Sequence, residues 1–169
     1  MSEQTIEELE AELYEKTLQL HELKKQSARR EVRDYKFNTL NGAVSLIDLF
    51  AEKDTLLMIH NMGQGCRYCM IWGDGINGFL PHLESTMSVV MVSKDDPQTQ
   101  QRYANSRQWR FRMASHGGGD YITEQSTQPG SGNMPGVVCY HREGNRIFRS
   151  NSASFGPGDL YCSIWNYLA

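Results

Sequence analysis

The sequence predicts an α/β fold built on a mixed sheet with flanking helices and preceded by one long helix. Apolar runs of strand length alternate with helical patterns over residues 35–114, which is typical of layered strands and helices. Two strand-like segments then follow as a hairpin around 143–145, so part of the sheet is expected to be antiparallel. Residues 3–33 carry one continuous helical pattern ahead of these elements.

Composition and charge favour a single soluble-type domain and argue against a protein that binds nucleic acid or a membrane. The 169 residues, 39% of them hydrophobic, suffice for one domain with a proper core. A net charge of -3 gives no electrostatic basis for binding nucleic acid or an anionic membrane. The first residues lack the apolar core of a signal peptide, and no apolar run approaches the roughly 18 residues of a membrane span. We therefore expect a cytoplasmic protein with neither nucleic acid nor membrane among its partners.

The N-terminal segment, residues 1–32, is predicted to be an amphipathic helix that precedes a thiol-bearing domain at 33–169. Its apolar residues recur at the a and d positions of a heptad, interrupted by Lys16. They are Ile6, Leu9, Leu13, Leu20 and Leu23. Two uses of this row remain open: packing against the helix's own domain, and pairing with a second copy in a homodimer.

Local patterns define the remaining elements. Strands are predicted where apolar and polar residues alternate or where a short apolar run occurs, and helices follow start signals such as Asp95-Asp96-Pro97. In chain order they are strands at 35–39 and 43–45, a short helix at 46–50, a strand at 54–62, a helix from 66, a strand at 88–93, a helix at 98–108, strands at 109–114, 137–140 and 146–148, and a helix at 161–168. The glycine-rich and serine-rich segment 117–133 is predicted to be a loop.

Cys66 and Cys69 lie at the turn between the strand 54–62 and the following helix. The first sulfur is then at a helix N-terminus, where unpaired amide N–H groups and the helix dipole stabilise a thiolate, and Arg67 adds a nearby cation. The two thiols are close enough in sequence to form a disulfide. We expect a redox-active dithiol in which Cys66 attacks and Cys69 resolves, with Arg67 and Tyr68 between the two thiols as candidate contacts for the substrate.

The other two cysteines, Cys139 and Cys162, are predicted to be structural thiols. They are 23 positions apart and lack the paired spacing of a zinc site, so no metal is expected.

The order of these elements resembles the thioredoxin fold, and several motifs resemble a family of uncharacterised bacterial thioredoxin-like proteins, the domain-of-unknown-function family 899. The motifs are Tyr35-x-Phe37, Gly42-x-x-Ser45-Leu46-x-Asp48-Leu49-Phe50, His60-x-Met62, Cys66-x-x-Cys69, Asp74-Gly75-x-x-Gly78, His82-Leu83, Val92-Ser93 and Gly158-Asp159-Leu160. The resemblance covers most of the chain, including the long helix. The sequence departs from the pattern at Gly117-Gly118-Gly119 and at 124–133.

The resemblance implies roles for further residues. Met134-Pro135 stands where the thioredoxin fold places a cis-proline facing the disulfide, so Pro135 is expected to be cis and Met134 to contact substrate. His60 lies six residues before Cys66, where thioredoxins carry a buried acid, and an imidazole that titrates near neutrality could accept the proton of Cys69. A strand-end histidine bonded to backbone is the alternative. Trp109 is either a wall of the substrate pocket or a core residue.

The expected function is that of a thioredoxin-like thiol–disulfide oxidoreductase, or of a redox sensor that uses the same dithiol. It needs no dissociable cofactor; its substrate is a protein or low-molecular-weight disulfide, and its reductant is an unidentified thiol. One alternative is a non-catalytic dimeric module of this fold. Another is a peroxiredoxin-like peroxidase, although the Pro-x-x-x-Thr-x-x-Cys arrangement that activates peroxide is missing before Cys66.

Overall fold

The computed structural model describes residues 5–128, 130–160 and 162–167. These residues form a mixed sheet of eight strands with flanking helices. Its strands lie in the order β1-β8-β7-β4-β5-β6-β2-β3. The elements are α1 (Ile6–Gln26), β1 (Arg30–Val32), β2 (Lys36–Thr39), β3 (Gly42–Ser45), α2 (Leu46–Leu49), β4 (Thr55–His60), α3 (Arg67–Glu84), β5 (Ser88–Ser93), α4 (Pro97–Ser106), β6 (Arg112–Ser115), α5 (Asp120–Gln125), β7 (Gly136–Glu143), β8 (Arg146–Ser154) and α6 (Ile164–Tyr167). The predicted α/β class with a mixed sheet is confirmed.

The centre of the sheet is parallel, and its sides are antiparallel. Strand β5 pairs in parallel with both β4 and β6, whereas β7 pairs antiparallel with β4 and with β8. All six residues of β5 are buried, which explains its nearly continuous apolar sequence. The predicted hairpin is therefore confirmed, and β7 and β8 extend it to Gly136 and Ser154.

Each face of the sheet has its own apolar core, because neighbouring side chains of a strand point to opposite faces. On one face, Met58 of β4 packs in a core with residues of α2 and α5, such as Leu49 and Ile122. On the other face, Ile59 packs in a second core that includes Leu80 of α3. The face of β4 that a residue occupies thus decides whether it meets α3.

Three segments differ from the sequence-based prediction. Helix α1 ends at Gln26, and Arg30–Val32 form a strand that pairs with β8, so the predicted helix is wrong in its last residues. The predicted loop 117–133 contains α5, which begins immediately after three glycines. The final helix spans Ile164–Tyr167, and the outer residues of the predicted 161–168, Tyr161 and Leu168, lie outside the described residues.

Helix α1 does not pack its apolar row against its own domain. None of its residues is buried, although Thr5 forms a capping box with Glu8 at its start. The a and d side chains remain exposed, from 36% at Leu20 to 76% at Ile6. Packing on the helix's own domain is therefore the wrong interpretation of the row. Among the described residues, no helix is long and apolar enough to cross a membrane.

Helix α3 is seated on the second core through a glycine. A Cβ added at Gly73 would overlap the ring of Trp109, so only glycine allows this close approach. The Trp109 indole N–H also donates to the Asp74 carboxylate over 2.7 Å, and Arg107 forms an ion pair with the same carboxylate. The glycines of this helix thus have different roles, since a Cβ at Gly75 would meet no atom within 4 Å.

Replacing these two glycines should change stability in opposite directions. Gly73→Ala forces Trp109 or α3 to move and should lower the free energy of unfolding by about 1–3 kcal/mol. Gly75→Ala has open space and should raise it by up to about 1 kcal/mol, because alanine is the better helix former. Urea unfolding of the oxidised protein and both variants measures the difference. Equal effects of the two substitutions would contradict this account of α3.

Candidate functional site

Cys66 and Cys69 form a disulfide at the start of α3, with their Cα atoms 5.3 Å apart. Cys66 is the N-cap of the helix, and its sulfur accepts the Cys69 N–H over 3.1 Å. Cys69 is 3% exposed, whereas Cys66 is half-buried. Of the two sulfurs, Cys66 therefore offers the more accessible target at a helix N-terminus.

The loop between β4 and α3 is fixed by side chains on both sides of it. The Asn61 carboxamide accepts the Gly63 N–H over 2.8 Å, and the Asp95 carboxylate accepts the Gln64 N–H over 2.7 Å. Gly63 has φ +112, which favours glycine, and a Cβ there would lie 2.9 Å from an Asp95 oxygen. The Met62 N–H points at the Cys69 sulfur over 3.5 Å. This loop therefore presets the position of both sulfurs.

Asp95 is a site residue that the sequence reasoning missed. Asp95-Asp96-Pro97 predicts a helix start, and Asp96 does cap α4 by accepting the Gln98 and Thr99 N–H groups. Because Asp96 caps the helix, the Asp95 carboxylate can bind the dithiol loop. The doubled aspartate was the only signal in the sequence, and it does not say which carboxylate serves which element.

Met134 and Pro135 lie beside the dithiol loop, but the expected cis bond is wrong. The Asn133 side chain donates to the Met62 carbonyl over 3.1 Å, and Gly136 pairs with His60. All described peptide bonds are trans, including the one before Pro135. Trans is the lower-energy isomer of an X–Pro bond by about 0.5–1 kcal/mol, and here the trans chain already enters β7 in register. Met134 stays 37% exposed beside this loop.

An aromatic cluster adjoins the dithiol. Trp72 of α3 stacks on Phe155, with ring centroids 5.2 Å apart, and meets Trp165 of α6 edge-on at 6.1 Å. Tyr68 lies 6.5 Å from the same Trp165 ring and is 51% exposed. Arg67 is exposed as well. Arg67 and Tyr68, the two residues between the cysteines, thus face outward, and Tyr68 contacts the last helix.

His60 lies away from α3, the helix that carries the dithiol. By the alternation along β4 it shares the face of Met58, opposite to the face that packs on α3. It is 2% exposed, its Nε2 hydrogen bonds with the Tyr121 hydroxyl over 2.7 Å, and its Nδ1 has no partner among the described residues. Burial, with His116 and Arg149 nearby, lowers the pKa of the imidazole to about 3. The expectation that this group titrates near neutrality is therefore wrong.

A chain of hydrogen bonds continues from His60 to the surface. The Tyr121 and Tyr140 hydroxyls are 3.3 Å apart, and the Tyr140 hydroxyl also approaches the side-chain oxygen Oε1 of Gln125 at 3.4 Å. The Gln125 amide donates to the Tyr35 hydroxyl over 2.9 Å, and that hydroxyl donates to the exposed Glu124 carboxylate over 2.6 Å. Most of the polar groups buried on this face therefore have partners, as stability requires.

Trp109 is a core residue, and it lines a small cavity with Gly63 and Gln64 of the dithiol loop. It is 6% exposed and packs between Tyr103 and Phe111. Its indole N–H is bound by Asp74, as described above. The core alternative is therefore the correct one, and contact with substrate stays a prediction.

The remaining cysteines are half-buried. Cys139 lies on β7, where burial raises the pKa of its thiol, and Cys162 precedes α6. Within residues 5–128, 130–160 and 162–167, no three His, Cys, Asp or Glu side chains are grouped to hold a metal ion.

The architecture is that of the thioredoxin-like folds, with a Cys-x-x-Cys disulfide at the first turn of α3. The chain belongs to the family described as bacterial protein of unknown function, DUF899, whose profile matches residues 7–169. No curated protein matches the chain.

Several solved structures of similar fold carry peroxiredoxin names. Peroxidoxin BcpB of Mycobacterium tuberculosis has a TM-score of 0.59 at 17% identity, covering 75% of this chain and 84% of that chain. A peroxiredoxin-like protein of Aquifex aeolicus gives 0.60 at 16%, covering 76% and 75%. Reduced Prx3 of Vibrio vulnificus gives 0.62 at 12%, covering 79% and 90%. At these identities the likeness concerns the fold alone.

The low pKa of His60 predicts a specific loss of stability in acid. In the unfolded chain the imidazole binds a proton near pH 6.5, whereas in the folded protein its pKa is about 3. The free energy of unfolding therefore decreases as pH falls from about 6.5 toward 3. Between pH 7 and pH 5 the loss should be about 2 kcal/mol. His60→Gln should reduce the difference between the unfolding free energies at these two pH values by that amount.

The exposed His82 provides the matched control, since His82→Gln should leave the acid-dependent difference unchanged. Urea titrations of the oxidised proteins at both pH values supply the measurement. A His60→Gln variant as acid-sensitive as the parent protein would show that His60 is not buried in neutral form.

Proposed function

We propose that this protein is a thiol–disulfide oxidoreductase, or a redox sensor with the same chemistry, that acts through Cys66 and Cys69. One observation carries the proposal: a closed disulfide at the N-terminus of an 18-residue helix, with the first sulfur half-buried and the second almost fully buried. This asymmetry suits an attacking and a resolving sulfur. The fold supports it, since thioredoxin-like folds place such a dithiol at this turn.

In the proposed reaction the reduced Cys66 thiolate attacks one sulfur of a substrate disulfide. The substrate S–S bond breaks, a mixed disulfide forms, and one substrate thiolate leaves and takes up a proton. Cys69 loses its proton and attacks the Cys66 sulfur, which breaks the mixed disulfide and releases the second substrate thiol. The substrate gains two electrons, and the Cys66–Cys69 disulfide holds the oxidised state until a thiol reductant returns them.

Main-chain N–H groups support the Cys66 thiolate. The Cys69 N–H already points at the Cys66 sulfur, and the helix N-terminus adds its partial positive charge. The Cys69 sulfur also has a donor, the Met62 N–H. That contact is longer, 3.5 Å against 3.1 Å, and Cys69 is buried, so Cys66 remains the attacking sulfur.

His60 has a positioning role in this proposal. Its bond to Tyr121 holds the end of β4, from which the dithiol loop departs. A neutral imidazole whose pKa is about 3 is a weak base, and its only hydrogen-bond partner among the described residues is Tyr121. In this scheme the first substrate thiolate takes its proton from solvent, and the proton of Cys69 passes to the second substrate thiolate as it leaves.

The surface around Cys66 suits a disulfide carried by a protein or by a small thiol compound. Tyr68 and Met134 expose apolar surface beside the dithiol loop, and Arg67 adds a cation. The Pro135 carbonyl oxygen accepts a hydrogen bond from the Phe155 N–H over 3.0 Å. We place the protein in the cytoplasm, where thiol reductants would keep the dithiol supplied with electrons.

A peroxidase is the less supported alternative. The solved structures of similar fold carry peroxiredoxin names, but their identity to this chain is low. Counted back from Cys66, the proline and threonine positions of the peroxide-activating arrangement hold Ile59 and Gly63. Neither supplies the hydroxyl that this arrangement uses, so thiol exchange fits the residues better.

The decisive experiment is a redox titration of the dithiol. The parent protein should cycle reversibly between dithiol and disulfide in glutathione or dithiothreitol buffers, as followed by mass after alkylation. Cys66→Ser and Cys69→Ser should abolish the cycle, while Cys139→Ser should leave its midpoint unchanged. A dithiol that does not cycle would favour a non-catalytic module, and rapid consumption of hydrogen peroxide by the reduced protein would favour the peroxidase.

The order of attack predicts different reactivities for the two sulfurs. In Cys69→Ser, the remaining Cys66 should react with iodoacetamide with a pKa below the roughly 8.5 of a free thiol. In Cys66→Ser, the buried Cys69 should react more slowly and with a higher pKa. Alkylation rates against pH in a Cys139→Ser, Cys162→Ser background measure both. A lower pKa for Cys69 would reverse the assigned roles.

A further inference from the structure

Helix α1 carries an apolar surface that no described part of its own chain covers. Its 21 residues contain no buried side chain. Seven large apolar residues are exposed along it: Ile6, Leu9, Leu13, Tyr14, Leu18, Leu20 and Leu23. Isolated helices of this length are marginal in water, and most helices in proteins are stabilised by packing an apolar face. A helix with such a row is therefore expected to have a partner.

The helix turns its polar side toward its own domain. His21 and Lys24 line a groove with Leu57, Val137 and Cys139 on the face of the sheet. The Lys24 ammonium donates to the Ser152 carbonyl over 3.4 Å. Residues 20 and 23 stay exposed on the same turns, at 36% and 67%. The apolar row therefore lies beside the side that contacts the domain and stays open to a separate molecule.

The charges of α1 identify that molecule as a second copy in the opposite orientation. Its first ten residues hold five glutamates and no basic residue. Its last turn carries Lys24 and Lys25, and its first turn Glu7 and Glu8. Two parallel copies would place glutamates against glutamates. Two antiparallel copies place each basic end beside an acidic end and also oppose the helix dipoles favourably.

The a and d row fits the antiparallel arrangement layer by layer. When the order of one helix is reversed, each a residue meets a d residue of the other. Ile6 then faces Leu23, and Leu9 faces Leu20. The central layers pair Leu13 with Lys16, whose long stem covers apolar surface while its charge reaches solvent. A single charged residue in such a row sets register, because any shift would bury it against a different neighbour.

We propose that the protein forms a homodimer through an antiparallel two-helix coiled coil of α1, with Ile6 of one copy facing Leu23 of the other. The two thiol-bearing domains would then lie at opposite ends of a rod about 30 Å long, at 1.5 Å per residue. The dimer leaves both dithiols free to act, so it stands independently of the proposed redox function.

Sedimentation equilibrium of the full chain tests the dimer. The parent protein should be dimeric at micromolar concentration, and Leu13→Glu combined with Leu20→Glu should raise the dissociation constant at least 100-fold. Leu40→Glu, at a comparably exposed apolar side chain outside α1, should leave it unchanged. Because α1 contributes no buried residue, the double variant should keep its dithiol titration and its circular dichroism in the near ultraviolet.

Disulfide trapping tests the orientation. In a Cys139→Ser, Cys162→Ser background, chains with Ile6→Cys and chains with Leu23→Cys should form a covalent dimer under mild oxidation only when mixed. Covalent dimers of Ile6→Cys alone would establish a parallel pair and overturn the proposal. A monomeric parent protein, or a dimer that survives the double glutamate substitution, would overturn it as well.

Discussion

The approach of α3 to the central strands is the constraint on which the dithiol depends. Gly73 lets the helix lie against Trp109, and the indole N–H is held by Asp74, so the helix cannot slide along the sheet without breaking this contact. The N-terminus of the same helix carries Cys66 as its cap. Structural packing at one position of α3 thus fixes the redox geometry two turns away.

The loop before the helix is held by side-chain hydrogen bonds from two neighbouring segments. Asp95 binds it from the end of β5, and Asn133 binds it from the segment that enters β7. Because β4, β5 and β7 are neighbours in the sheet, their ends meet at the dithiol. On the opposite face, His60 and Tyr121 join a buried polar chain that anchors the end of β4. The two faces therefore share one strand and have different tasks.

Some elements could be predicted because their information is local. The run 88–93 is apolar without interruption, and Cys66 and Cys69 stand at a strand-to-helix boundary marked by a change of period. Helix α5 was missed because six residues after three glycines carry little periodic signal, and Tyr121 and Ile122 are recruited by a core formed elsewhere in the chain. Its helical state depends on burial, which local propensity does not describe.

The sequence by itself determined most of the alternation of strands and helices between residues 35 and 114, the Cys-x-x-Cys spacing that allows a disulfide and the apolar row of the N-terminal helix. These follow from backbone geometry and from periods of two and 3.6 residues. Tertiary structure alone decided that Asp95 serves the dithiol loop, that Trp109 belongs to the core and that His60 stays neutral. Those outcomes depend on which segments the sheet brings together and on how completely it removes water from a side chain, and neither quantity is a local property of the chain.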